Sequence, residues 1–223
     1  MSVLRKIVVW TTPLVLLLAA CGGHSGSPRD TEGTGSMSHE DHSAGTAGSS
    51  MSASSTGNHG DAKVSTLHFN DDGTIPNNQK FSVLVYHGAF KGLNAEQIAD
   101  RFLNNNWGNN WVDGVFDFHH FHSTSHEVLG IAGGSGEIQL GGPKGKIIKV
   151  KAGDVLVLPA GTGHKRISAS SDFSVVGGYP NGQDYDTQTK ETAAIKANIA
   201  KVGKPDQDPV YGKKGPMLRL WKK

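Results

Sequence analysis

Apolar and polar positions divide the chain into three regimes. Residues 7–20 are mostly apolar, interrupted by Thr11, Thr12 and Pro13. From Gly22 to about Ala62 the chain is dominated by Gly, Ser, Thr, Ala, His and acidic residues, with no aromatic and no branched aliphatic side chain. Beyond that, short runs of β-favouring residues recur between turn signals, which is the patterning of a folded domain.

Within the third regime, residues 81–86 (FSVLVY) form an apolar run that predicts a strand. Residues 66–69 predict another, closed by the turn signal Asp71-Asp72-Gly73. A helix should start at Asn94, which can cap it, with Gln97 closing a capping box and Leu93 stapling onto Ile98. That helix should fade across Asn104, Asn105 and Asn106 and end by Gly108. From 115 to 179 short strands are separated by turns: 137–140 lies between two glycine clusters, and 146–150, 154–158 and 173–176 follow. Such spacing predicts a sandwich or small barrel. A second helix is expected over about 187–202, with Ile195, Ile199 and Val202 on one face, followed by an extended tail docked by Leu218, Leu220 and Trp221. No glycine cluster leads into Lys-Ser or Lys-Thr at the start of a helix, so these clusters read as hairpin turns rather than phosphate loops.

The first two regimes read as targeting and tethering segments. Arg5 and Lys6 precede the apolar stretch, which is shorter than the roughly 20 apolar residues a spanning helix needs. Leu18-Ala19-Ala20-Cys21 resembles a bacterial lipobox, implying a signal peptide over 1–20, lipidation of Cys21 and attachment to the cell envelope. The absence of aspartate after Cys21 resembles lipoproteins sent to the outer membrane of a Gram-negative host. Residues 21–62 are too poor in apolar side chains to offset chain entropy and are expected to be a flexible tether. The tether's histidines and methionines suit a solvated spacer better than loose metal capture. The remaining 63–223 suits one domain.

Cys21 is also the chain's single cysteine, so no intrachain disulfide can form, and any metal site must use histidine, carboxylate or carbonyl groups. The formal charge is +2, and loss of Arg5 and Lys6 leaves 20 basic and 20 acidic residues. There is no basic field to attract nucleic acid.

The densest concentration of candidate ligands is DFHHFHSTSHEVLG, residues 117–130. On a strand, His120 and His122 share one face while His119 and Phe121 take the other. Ser123-Thr124-Ser125 can turn the chain, after which Glu127 can lie beside the first pair and His126 faces away. Gly114, His120, His122, Glu127 and Gly134 are separated by five, one, four and six residues. Downstream, Gly153, Pro159, Gly161 and His164 are separated by five, one and two.

These spacings match the two signature motifs of the cupin superfamily, with Ser168 where the second motif ends in asparagine. The resemblance implies a mainly β fold, an antiparallel cupin-type β-barrel with two short flanking helices. It also implies that His120, His122, Glu127 and His164 converge on one divalent ion (Fe, Mn, Ni, Cu or Zn). Four such ligands leave two positions open on an octahedral ion. Stretches such as Trp107-Gly108, Gly178–Asp186 and Asp208–Gly212 further resemble a group of uncharacterised bacterial single-domain cupins. The expected function is therefore a metal-dependent enzyme of oxygenase, decarboxylase or isomerase type acting on a small oxygenated molecule. The rival is non-catalytic binding of a metal or small ligand by an envelope lipoprotein. Homodimerisation is expected at the level of the family. His119, His126, Tyr86, His87, Trp107 and Trp111 are read as packing or surface residues before substrate contacts. Lys165 or Arg166, if inward, could hold an anion.

Overall fold

The computed structural model describes residues 62–222. The expected signal peptide, Cys21 and all of the expected tether but Ala62 lie outside the described residues. Among the described residues, nine strands and three short helices follow in chain order: β1 (Val64–Leu67), β2 (Val83–Tyr86), α1 (Ala95–Asn104), β3 (Trp107–Asp113), β4 (Glu127–Gly133), β5 (Ser135–Leu140), β6 (Lys146–Lys151), β7 (Val155–Leu158), β8 (His164–Ala169), β9 (Ser174–Pro180), α2 (Ala193–Lys201) and α3 (Met217–Leu220). Every ladder is antiparallel. One sheet has the order β1-β2-β7-β4-β9-β3 and the other β6-β5-β8. The fold is mainly β and of cupin type, two antiparallel sheets with the short helices outside.

The core explains why several strands are apolar throughout rather than alternating. Leu129 and Ile131 of β4, Leu156 and Leu158 of β7 and Val83 and Val85 of β2 face Ile138 and Leu140 of the smaller sheet in one buried cluster. The opposite face of the same strands, through Leu84, Tyr86, Val128, Val155 and Val157, packs against Ile98 and Phe102 of α1 and against the C-terminal Met217 and Trp221. Two buried faces leave no polar register, so VLVY and VLVL carry apolar side chains at every position. The smaller sheet has a wet face, and β6 (KIIKVK) leaves Ile147 half exposed.

The predicted capping box is present. The Asn94 side chain accepts from the Gln97 N–H, and the Gln97 side chain accepts from the Asn94 N–H. Four expectations change. β3 occupies 107–113, where the Asn-rich sequence gave no strand signal; its pairing with β9 supplies what propensity does not. The segment carrying His120 and His122 is held by isolated bridges, His120 to His164 and Phe121 to Gln188, rather than by a continuous ladder. The second helix is shorter than expected, with Thr192 as its cap. The tail ends in the additional helix α3 rather than an extended strand; Met217 and Trp221 are buried there and Leu220 is exposed.

The tail is clipped to the large sheet by one carboxyl group. Asp208, fully buried, accepts from the Tyr86 hydroxyl at 2.6 Å and from the Val210, Tyr211 and Met217 N–H groups at 2.8–3.0 Å. Trp221 stacks on Phe81 and donates its indole N–H to the Ser82 carbonyl at 2.8 Å. Removing the carboxyl would strand four donors at once, three of them buried. Asp208→Ala is therefore expected to cost roughly 3 kcal/mol and Tyr86→Phe about 1 kcal/mol. Denaturant unfolding measures both, and equal losses would show that the hydroxyl contact alone matters.

Candidate metal centre

Each ligand candidate reaches the centre by a different local device. His120 and His164 exchange backbone hydrogen bonds of 3.2 and 2.9 Å, which brings the two rings together, tilted by 55°, at 3.9 Å between centroids. His122 is placed by alternation, two residues on, while Phe121 turns the other way into a cluster with Ile75, Ala160 and Ile199. Its carbonyl accepts from the Gly161 N–H at 2.7 Å. Gly161 has φ +89° and Gly153 φ +93°, left-handed turns that bring the second motif round to His164. Glu127 opens β4 opposite Leu158, on the same face as Leu129 and Ile131, so it caps the inner apolar core.

One ligand atom from each of His120, His122 and His164 lies within 4.8 Å of the others, and all three residues are buried. These three histidines could hold a metal ion. The outer nitrogens are all engaged: Nδ1 of His120 by the Phe118 carbonyl at 3.2 Å, of His122 by the Asp186 carbonyl, and of His164 by the Thr162 carbonyl at 3.1 Å. A carbonyl only accepts, so each Nδ1 carries the proton and each Nε2 lone pair is left facing the others.

Glu127 lies against this group, with Oε1 3.4 Å from His122 Nε2 and Oε2 3.2 Å from His164 Nε2. Such distances are attractive only with a proton or a cation between the atoms, and His122 Nε2 and Glu127 Oε2 are both buried without a hydrogen-bond partner. Burial alone would raise the Glu127 carboxyl. The His122 charge and contacts with both histidines outweigh burial and hold it well below the usual carboxylate range. His120 moves the other way, lowered to about 3 by burial and then by His164, which keeps its ring neutral. A buried carboxylate needs a positive partner. Glu127 favours a proton on His122; with a cation in place of that proton, three Nε2 lone pairs and one ionised oxygen would suit a divalent ion of the transition series.

The outer supports are polar and were missed in the sequence. Asp186 accepts through its carboxylate from Ser123 N–H and Oγ, Thr124 N–H and Oγ1, and Gln188 Nε2. Burial would raise its carboxyl, but the hydrogen bonds led by Ser123 hold it at about 2. That clasp fixes the turn after His122 and presents the carbonyl that orients the ring. The signal lay in the Gly178–Asp186 stretch, but 63 residues separate Ser123 from Asp186 and no periodicity links them. Tyr179, also unforeseen, donates its hydroxyl to Glu127 Oε1 at 2.8 Å.

The other named residues are not ligands. His126 faces away as parity predicts but is buried: Nδ1 accepts from the Ala160 N–H at 2.9 Å, Nε2 donates to the Gly203 carbonyl at 3.0 Å, and the ring packs on Trp221 and Phe81. Burial lowers it to about 4. His119 is lowered by burial and by the Lys165 charge. Tyr86 and Trp107 belong to the outer core, and His87 is exposed against Ser65. Of the pair after His164, Arg166 shares its parity and lies beside Gly114 and Phe116, while Lys165 takes the opposite face. Clefts of about 350 and 450 Å³ beside α2 are lined by none of the four candidate ligands.

Sheet topology, motif glycines and a buried histidine triad thus agree on a cupin-type protein with a metal-competent centre. No protein-family model matches the chain. It is 44% identical over 167 residues, 72% of its own length and 98% of the relative's, to "Uncharacterized protein YjlB" of Bacillus subtilis (strain 168), and it belongs to the YjlB family. Among solved structures it is similar to the acireductone dioxygenase from Bacillus anthracis with cadmium ion in its active centre: 21% identity, 40% of this chain and 60% of that one, TM-score 0.30. A vicilin from Solanum melongena shares 24% identity over 38% of this chain and 25% of that one, TM-score 0.30.

The division between His120 and His126 is testable. His126→Ala should cost about 3 kcal/mol of stability through two lost buried hydrogen bonds and a cavity, with metal content unchanged. His120→Ala should remove metal and, compared with metal-free wild type, cost less stability than His126→Ala does. Unfolding curves and elemental analysis on the same preparations decide it, and metal loss in folded His126→Ala protein would reverse the assignment.

Proposed function

We propose that His120, His122, Glu127 and His164 are the ligands of one divalent ion. In this reading the protein is a metal-dependent enzyme of oxygenase, decarboxylase or isomerase type, acting on a small oxygenated molecule at the bacterial cell envelope. The observation that carries the metal reading is the orientation of three Nε2 lone pairs toward one buried point beside an ionised carboxylate. Bound there, an open-shell ion supplies Lewis-acid polarisation and a redox centre, with positions left for a chelating oxygen.

The chain's own contribution is binding and exclusion of water. Phe116 and Phe118 stack on each other at 5.0 Å and rest on the His120 ring, both substantially exposed. Tyr185, also exposed, stands edge-on to His122 at 4.8 Å. An apolar rim over otherwise buried ligands favours a small ligand with an apolar part entering from that side. The rival reading, a non-catalytic envelope protein that captures metal or a small ligand, is favoured by what surrounds His120. Its aromatic neighbours are Phe116, Phe118, His122 and His164, so its outer approach is lined by apolar rings.

Elemental analysis of the full chain without a histidine tag tests the metal. About one equivalent is expected in the wild type and loss in His120→Ala/His164→Ala. Equal metal in both would sink the site. Dioxygen uptake with a screened substrate and a bound redox metal supports the enzyme, whereas tightly held, inert zinc supports the binding protein.

Anchoring at Cys21 is supported by the lipobox-like Leu18-Ala19-Ala20-Cys21. Radiolabelled palmitate should enter the protein in bacterial cells, and Cys21→Ala should abolish both label and membrane fractionation. Label retained by that variant would refute lipidation at this position.

A further inference from the structure

We infer that Trp111 and Tyr179 form a fixed-polarity hydrogen-bond relay that restrains Glu127 Oε1 and leaves Oε2 as the ligating oxygen. Both are positioning residues; the inference rests on the metal reading above.

The two carboxylate oxygens of Glu127 are not equivalent. Oε1 accepts the Tyr179 hydroxyl at 2.8 Å, whereas Oε2 is buried without a hydrogen-bond partner and faces His164 Nε2 at 3.2 Å. Tyr179 in turn receives the Trp111 indole N–H on its hydroxyl oxygen at 2.9 Å. An indole nitrogen can only donate and a carboxylate can only accept. The single hydroxyl proton of Tyr179 must therefore lie toward Glu127, and no tautomer or rotation reverses the direction. Tyr179 is 1% exposed and carries the Tyr185 ring stacked on it at 4.0 Å, so water does not compete for the bond.

The backbone is shaped for this relay. β3 pairs with β9 so that Trp111 lies opposite Gly177, two residues before Tyr179 on the same face. A Cβ at 177 would overlap the indole ring, including its nitrogen. The absence of a side chain at Gly177 lets the indole lie flat against β9 and reach the tyrosine. The relay thus links one edge strand, β3, to the ligand on β4 through their common neighbour β9.

A carboxylate tied at one oxygen binds a cation through the other, and this preserves coordination positions for a further ligand. Co(II) is a suitable probe, since its visible absorption reports coordination number. The full chain should bind Co(II) at the site lost in His120→Ala/His164→Ala. Tyr179→Phe should then weaken Co(II) by about 10- to 100-fold and alter its visible spectrum, as expected when an outer-shell partner is removed. Trp111→Phe and Gly177→Ala should move the spectrum in the same direction by a smaller amount, since each unfixes the tyrosine without deleting its hydroxyl. If folded Tyr179→Phe and Trp111→Phe bind Co(II) with wild-type affinity and spectrum, the relay has no role and the metal site still stands. If the wild type takes up no Co(II), or the double histidine variant takes up as much, the metal site falls and the relay with it.

Discussion

A carboxylate 3% exposed to solvent, set against three imidazoles, is the constraint around which this structure is organised. Glu127 cannot stay ionised there unless positive charge or directed hydrogen bonds offset its desolvation. Tyr179 meets part of that demand through a donated hydroxyl, and a proton or cation shared with the inner nitrogens of His122 and His164 would meet the rest. The histidines in turn are held by backbone carbonyls, which fixes the tautomer that leaves Nε2 free. Remove that constraint and there is little reason for His120 and His122 to leave the polar surface, where histidines in such an irregular segment would ordinarily lie.

The large sheet makes burial of such a group possible. Its central strands are apolar on both faces, one against the small sheet and one against α1 and the C-terminal tail. A chain without disulfides must hold that second layer by packing and hydrogen bonds. The Asp208 clip and the stacking of Trp221 on Phe81 and His126 do so. His126 belongs to this outer layer although it adjoins Glu127 in sequence: successive strand residues face opposite layers, and the metal-competent centre and the tail dock on opposite sides of one backbone.

Sequence carried the fold class and the meeting of four side chains, but not the frame that holds them. His120, His122, Glu127 and His164 were legible because motif spacing and side-chain alternation are local properties. The α1 capping box was legible for the same reason. β3 was not, because Asn109 and Asn110 oppose strand formation and only pairing with β9 overrides them. Nor could parity alone tell that His126 is buried, since the group covering it, Trp221, lies 95 residues away. Asp186 and Tyr179 were invisible as supports for a like reason: each acts on a residue more than fifty positions distant through a side-chain contact with no periodic signature.

The four candidate ligands also differ in how firmly the fold holds them. Glu127 and His164 begin regular strands within extensive ladders. His120 and His122 sit on a segment with isolated bridges only, and Asp186 supplies the missing restraint by gripping the turn that follows. Local stability tracks the density of such restraints, so the 117–126 segment is the part of the centre most able to open. A ligand that binds only the closed arrangement stabilises it by mass action, and most of that gain falls on the half with the fewest ladder bonds. Binding of an ion would then be coupled to the ordering of this segment, with Glu127 and His164 as the rigid half on which His120 and His122 would close.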